Sequence, residues 1–137
     1  MRLLKLLPCL LFLLLAACGG NDAAEARKTV EAFLAAAAAG DSKAAEACLL
    51  PAERARAKLN FAGDNPYKDE KYEVVKVETD RELAVITIKI SGKQGPKGER
   101  KWVCVNEGGK WYFSPEKSAM AMQYDANKGS EPKKDAK

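Results

Sequence analysis

Histidine is absent from all 137 residues. That removes Ser-His-Asp and Cys-His nucleophile systems, histidine-ligated zinc and imidazole acid–base chemistry together. Any catalysis would fall to carboxylates, lysine, tyrosine or a thiol. Surplus charge is also missing from the body of the chain. Of 23 basic and 19 acidic residues, Arg2 and Lys5 lie at the start. Residues from 126 onward hold four lysines against Glu131 and Asp135, so that 18–125 balance at 17 of each sign. The pI near 8.8 reflects the two ends. Without clustered lysine and arginine, nucleic acid is not an expected partner. Long apolar runs are scarce too: residues 6–15 form a run too short for a spanning helix.

A short positive start, that apolar run and a small-residue end have the build of a secretory signal. Leu15-Ala16-Ala17-Cys18 then resembles the lipobox of bacterial lipoproteins. The resemblance implies cleavage before Cys18, a diacylglycerol on its thiol and an acyl chain such as palmitate on the new amino terminus. At about 0.8 kcal/mol per buried methylene, two or three chains hold a protein on its bilayer. Gly19 stands where an inner-membrane retention signal would have aspartate in enteric bacteria. The resemblance therefore implies the outer membrane, facing the periplasm. The expected organisation is a signal over 1–17, lipidated Cys18 and a spacer over 18–22, one domain over 23–125 and a disordered polar tail over 126–137. A domain of that size can bury roughly two thirds of its unfolded surface.

Cys9 would leave with the signal, and Cys48 and Cys104 would remain in an oxidising compartment that permits a disulfide. A staple between them and two separate buried thiols are both open, because geometry decides and spacing does not.

Ala26, Val30, Phe33, Leu34 and Ala37 recur at helical spacing from residue 23. Gly40 suits the left-handed position after that helix, and Asp41-Ser42 suits the cap of a second. Pro51 ends the second near Leu50 and opens a short third. The alanines at 35–39 suggest close helix packing. Beyond the turn cluster Gly63-Asp64-Asn65-Pro66 the period changes to two. Strands are expected over 72–78, 83–90, 100–106 and 111–113, with a short helix over 117–124. The fold class is α+β, with helices on one face of a four-stranded antiparallel meander. Lys93, Lys97, Arg100 and Lys101 make the long hairpin locally basic, which would suit anionic lipid or an acidic partner, and a glycine-rich solvated loop is the preferred reading.

Three segments resemble small lipoproteins of the NTF2-like superfamily, especially the DUF4878-type set. They are Val30-Glu31-Ala32-Phe33-Leu34 leading to Ala39-Gly40-Asp41, the block Glu82 through Ile88, and Gly108-Gly109-Lys110-Trp111-Tyr112-Phe113. The resemblance covers roughly 23–115 and implies a sheet curled around the helices into a cone, whose open mouth is a pocket. Enzymes of the superfamily, isomerase and dehydratase relatives among them, carry acids or histidines inside that cone. Here Asp41 reads as a helix cap and Glu31 as a solvated residue, so no catalytic residue, cofactor or metal is expected. Phe33, Tyr72, Trp102, Trp111 and Phe113 are the candidate walls of an apolar cavity, and the same residues serve as core if the cone is filled. Expected partners are the membrane through lipid, a protein or small apolar ligand, and a second copy through the sheet face. A pocket enzyme using a buried carboxylate and a structural envelope lipoprotein are the alternatives.

Overall fold

The computed structural model describes residues 20–92 and 98–129. The expected signal, Cys18, Lys93, Lys97 and the tail from 130 lie outside the described residues. Eight elements follow in order: α1 (Gly20–Ala38), α2 (Ser42–Ala47), α3 (Pro51–Ala57), β1 (Glu70–Asp80), β2 (Leu83–Gly92), β3 (Gly98–Glu107), β4 (Lys110–Ser114) and α4 (Pro115–Gly129). The chain is α+β, with an open curved sheet in the antiparallel order β1-β2-β3-β4 and helices packed on it. Among the described residues no helix is long and apolar enough to cross a membrane.

Helix boundaries follow capping chemistry. Gly40 has φ +75°, a conformation that costs a Cβ-bearing residue strain, and it ends α1. Asp41 caps α2 by accepting from the Ala44 amide at 3.0 Å. Pro51 opens α3, where its missing N–H costs nothing. Two boundaries differ from expectation. Helix α1 takes in Gly20, Asn21 and Asp22, which were expected as spacer. The Asp22 carboxylate, in that first turn, accepts from the Trp111 indole at 3.4 Å. Helix α4 starts directly at Pro115 and runs to Gly129, well past 117–124.

The register explains how one sheet face stays apolar. Ala84, Ile86, Ile88 and Ile90 of β2 are all buried and alternate with outward residues. Opposite them stand Thr79, Val77, Val74 and Tyr72 of β1. The pairing slips between Val74 and Lys76, a bulge that moves β1 from even to odd numbering and keeps Val77 inward. Helix α1 lies across this face, with Ala26, Val30, Phe33 and Ala37 beneath it. Within the alanine run, Ala37 is buried while Ala35, Ala38 and Ala39 are exposed. Close packing there falls on Ala37, with Ala36 half-buried against the same core.

Helices do not keep to a single face. Trp102, Val103 and Cys104 are buried in succession on β3, which requires cover on both sides. The second cover is α4, whose Asp125 pairs with Lys101 at 2.7 Å and whose Met122 lies beside Thr87 on the back of β2. Where β4 ends, the Ser118 hydroxyl takes its place in the ladder. It accepts from the Val103 amide at 2.8 Å and donates to the Ser114 carbonyl at 2.6 Å. Helix α3 is tied in by Glu53, a buried carboxylate that accepts from the Ser114 hydroxyl and from the Glu116 amide at 3.1 Å. Both oxygens are thus used to cap α4, where the helix dipole also favours a negative charge.

The Cys48–Cys104 staple does not form. Both thiols are free. Leu49 bridges Phe113 from one side of β4, and Cys104 pairs with Phe113 from the other. Two strand spacings amount to about 9–10 Å, beyond the roughly 7 Å limit between Cα atoms for a disulfide. Cys48 instead donates to Ala44 of its own helix at 3.5 Å, and Cys104 to Ala26 of α1 at 3.9 Å.

Candidate functional site

Six aromatic rings form one connected cluster. Trp102 stacks on Phe113 with centroids 4.6 Å apart, and Phe33 leans on both at 5.8 and 4.8 Å. From Phe33 the chain of contacts passes edge-on to Tyr67 at 6.0 Å, then to Phe61 at 5.7 Å and Tyr72 at 6.0 Å. Offset and edge-to-face geometries of this kind add to what area burial alone contributes.

The cluster ends in a cavity of about 190 Å³ lined by Pro66, Tyr67, Glu70, Tyr72, Ile90, Arg100 and Trp102. Its position follows from the sheet. Glu70 pairs with Gly92, Tyr72 with Ile90 and Ile88 with Arg100, so the cavity lies where β1 and β3 begin and β2 ends. The loop before β1 supplies the remaining wall. Asn65 holds that loop to α1 by donating to the Ala37 carbonyl at 2.7 Å, and it accepts from the Tyr67 amide at 3.0 Å. A side chain at Gly92 would meet the Glu70 carboxylate, which occupies the space beside that glycine.

Both phenols stay protonated well into the alkaline range. Burial pushes Tyr72 up to about 12, helped by Tyr67 and Glu70 and opposed by Arg100. Burial raises Tyr67 too, again against Arg100. The cavity therefore presents aromatic faces and neutral hydroxyls, with a guanidinium and a carboxylate in its lining. A wider groove on the back of the sheet, lined by Thr87, Glu99, Arg100, Lys101, Met122 and Asp125, has mostly charged side chains in its wall and is crossed by the Lys101–Asp125 ion pair. Apolar enclosure marks the aromatic cavity as the better ligand site.

Of the residues proposed from sequence as pocket walls, Tyr72 and Trp102 line the cavity. Phe33 stands behind it as buried core. Trp111 and Phe113 are core as well, sealed under α1 and away from the opening. Thr29 donates to the Trp111 carbonyl at 3.2 Å, which shows how closely the helix covers that strand. Four residues that sequence reasoning missed have readable causes. Arg100 shares strand parity with Trp102, and Glu70 with Tyr72, so parity alone points both inward. Tyr67 and Pro66 lie on a loop, where no periodicity reports direction. Asp41 and Glu31 keep structural roles, as a cap and as the exposed partner of Arg27 at 2.8 Å.

No family model, curated protein or solved structure matches this chain.

Proposed function

We propose that this chain is a bacterial envelope lipoprotein, tethered through Cys18 to the outer membrane on its periplasmic side. Its domain is read as a non-enzymatic NTF2-like cone that holds a small apolar ligand. The observation that carries the binding reading is the aromatic cluster that runs out of the core and ends in an open cavity. Core aromatics are ordinarily closed over, whereas here Tyr67, Tyr72 and Trp102 line, with Pro66, Glu70, Ile90 and Arg100, an open space of about 190 Å³. A cavity of about 150 Å³ accepts one benzene ring, so a single ring or a short acyl segment is the size that fits. Neutral phenols and an indole suit such a body without demanding charge from it. The buried carboxylate an enzyme of this kind would use is Glu53 by burial, and it is engaged in capping α4.

The test is native mass spectrometry of the Cys18→Ala protein recovered from the periplasm. An adduct of one small molecule, lost in the Tyr67→Ala variant, is the expected result. An empty monomer would overturn the ligand reading. A doubled mass without adduct would move it to a second copy on β1, beyond the cover of α4, where Val75 is half exposed.

A further inference from the structure

We infer that two copies of this chain pair through the free edge of β1, antiparallel and about a two-fold axis beside Val75, so that two four-stranded sheets join into one. The pairing rests on the charges and the bulge of that strand, and it is independent of what the cavity holds.

The two edges of the sheet are finished differently. At β4 the outer side is already engaged: the Leu50 amide donates to the Phe113 carbonyl at 2.9 Å, and the Phe113 amide donates to the Cys48 carbonyl at 2.8 Å. Strand β1, with 11 residues, is the other edge, and among the described residues no strand pairs with its outer side. Alternate residues of an antiparallel strand turn their N–H and C=O groups away from the neighbour, which makes such an edge a template for a further strand. Apolar cover is thinner there as well. Ile86, Ile88 and Ile90 of β2 are buried, whereas Val77, Val74 and Tyr72 opposite them are half-buried, and Val75 at the bulge is 51% exposed.

Register identifies the occupant. The bulge switches the inward residues from Tyr72 and Val74 to Val77 and Thr79, and leaves Lys71, Glu73, Lys76 and Glu78 on the outer face. Two copies paired with Val74 of one opposite Val75 of the other keep both faces in step. Inward, Tyr72 meets Val77 and Glu70 meets Thr79. Outward, Glu73 meets Lys76 and Lys71 meets Glu78, and symmetry repeats each pair. A slip of one residue sets inward side chains against outward ones. A slip of two opposes Lys71 to Lys76 in one direction and Glu73 to Glu78 in the other. One register therefore satisfies the pleat and the charges together, and a second β1 supplies the pattern it needs. Lys89 of β2 already stands opposite Glu73, so the pairing extends a row of alternating charge across the joint. The exposed Val75 lies next to the axis, where the second copy covers it.

Sedimentation equilibrium of the Cys18→Ala protein tests this, with Glu73→Lys and Lys76→Glu made separately in it. The starting protein is expected at the mass of two chains. Each reversal sets like charges opposite one another on both sides of the axis, and should raise the dimer dissociation constant about tenfold or more. Mixed in equal amounts, the two variants bring opposite charges together again, and a mixed dimer with an affinity near that of the starting protein is expected. That recovery also shows that both variants are folded. A starting protein that is monomeric throughout, a dimer untouched by either reversal, or a mixture that stays monomeric would each overturn the pairing.

Discussion

The two ends of the aromatic cluster are both made of packed rings and do different things. At the β4 end, Phe113 and its strand neighbour Trp111, which lies outside the cluster, are 5% and 4% exposed, closed in by α1 and by Leu49. At the β1 end, Tyr67 and Tyr72 are only half-buried and frame an opening. What differs is the cover. Helix α1 packs on both end strands, but its first turns close over Trp111 through Asp22 and Thr29, whereas the start of β1 is covered by a loop held by Asn65. Residue type follows this difference: indole and phenyl rings where no water comes, phenols where one edge of the ring meets solvent. Aromatic content is therefore a poor guide to function here. The element that covers the ring decides whether it is structure or site.

Removing a ring from the sealed end breaks the comparison most strongly. Phe113→Ala deletes the stack with Trp102 and the contact with Phe33, and a loss of about 3–5 kcal/mol in denaturant unfolding is expected. The same truncation at Tyr72 should cost clearly less. Equal costs would mean that the open end is core after all.

Ser118→Ala comes next. It leaves the Val103 amide without its acceptor at the margin of the sealed end. A cost of about 1–3 kcal/mol is expected, with faster amide exchange at Val103 as the local signature.

The open end should reveal itself through alkaline pH. Tyr72 has an ordinary value of 10.0 when unfolded and about 12 in the fold. The unfolded chain therefore releases the proton first, and stability is full below pH 10 and falls as pH rises towards 12. Tyr72→Phe should flatten that decline in chemical-denaturation midpoints measured across the range. An unchanged slope would place the phenol in solvent.

Gly92→Ala sharpens the comparison without touching a ring. The added methyl displaces the end of the Glu70 side chain, so stability should change by no more than about 1 kcal/mol. Binding of the small apolar ligand should nevertheless weaken, because Glu70 lines the cavity. Unchanged binding would separate Glu70 from the site.

Cys48→Ser is the smallest expected effect, within about 0.5 kcal/mol, with no change in mobility between reducing and non-reducing gels. Cys104 should stay unreactive towards thiol reagents in the native state, since burial holds its thiol up at about 12.

Much of this architecture was legible along the chain because it depends on local chemistry. Gly40, Asp41 and Pro51 act through their own backbone and nearest amides, so the breaks between α1, α2 and α3 could be read directly. Period-two alternation likewise located four strands to within a few residues. That α1 takes in Gly20–Asp22 was not legible, because Gly20 and Asn21 have low helix propensity and Asp22 gains its partner from Trp111, 89 residues away. Helix α4 was underestimated for a similar reason: Glu53, Val103 and Lys101 hold it from other elements.

By itself, the sequence determined the α+β order, the inward stripe of β2, the near-neutral charge of the body and the exclusion of histidine chemistry. Each of these is a property of composition or of short-range periodicity. Only the tertiary structure decided which aromatic rings are covered, that α4 takes the second sheet face, that β4 separates Cys48 from Cys104, and that Tyr67, Glu70 and Arg100 share a cavity with Trp102. Those outcomes depend on which segments meet across many residues of chain, and burial, unlike periodicity, is set by both partners in a contact.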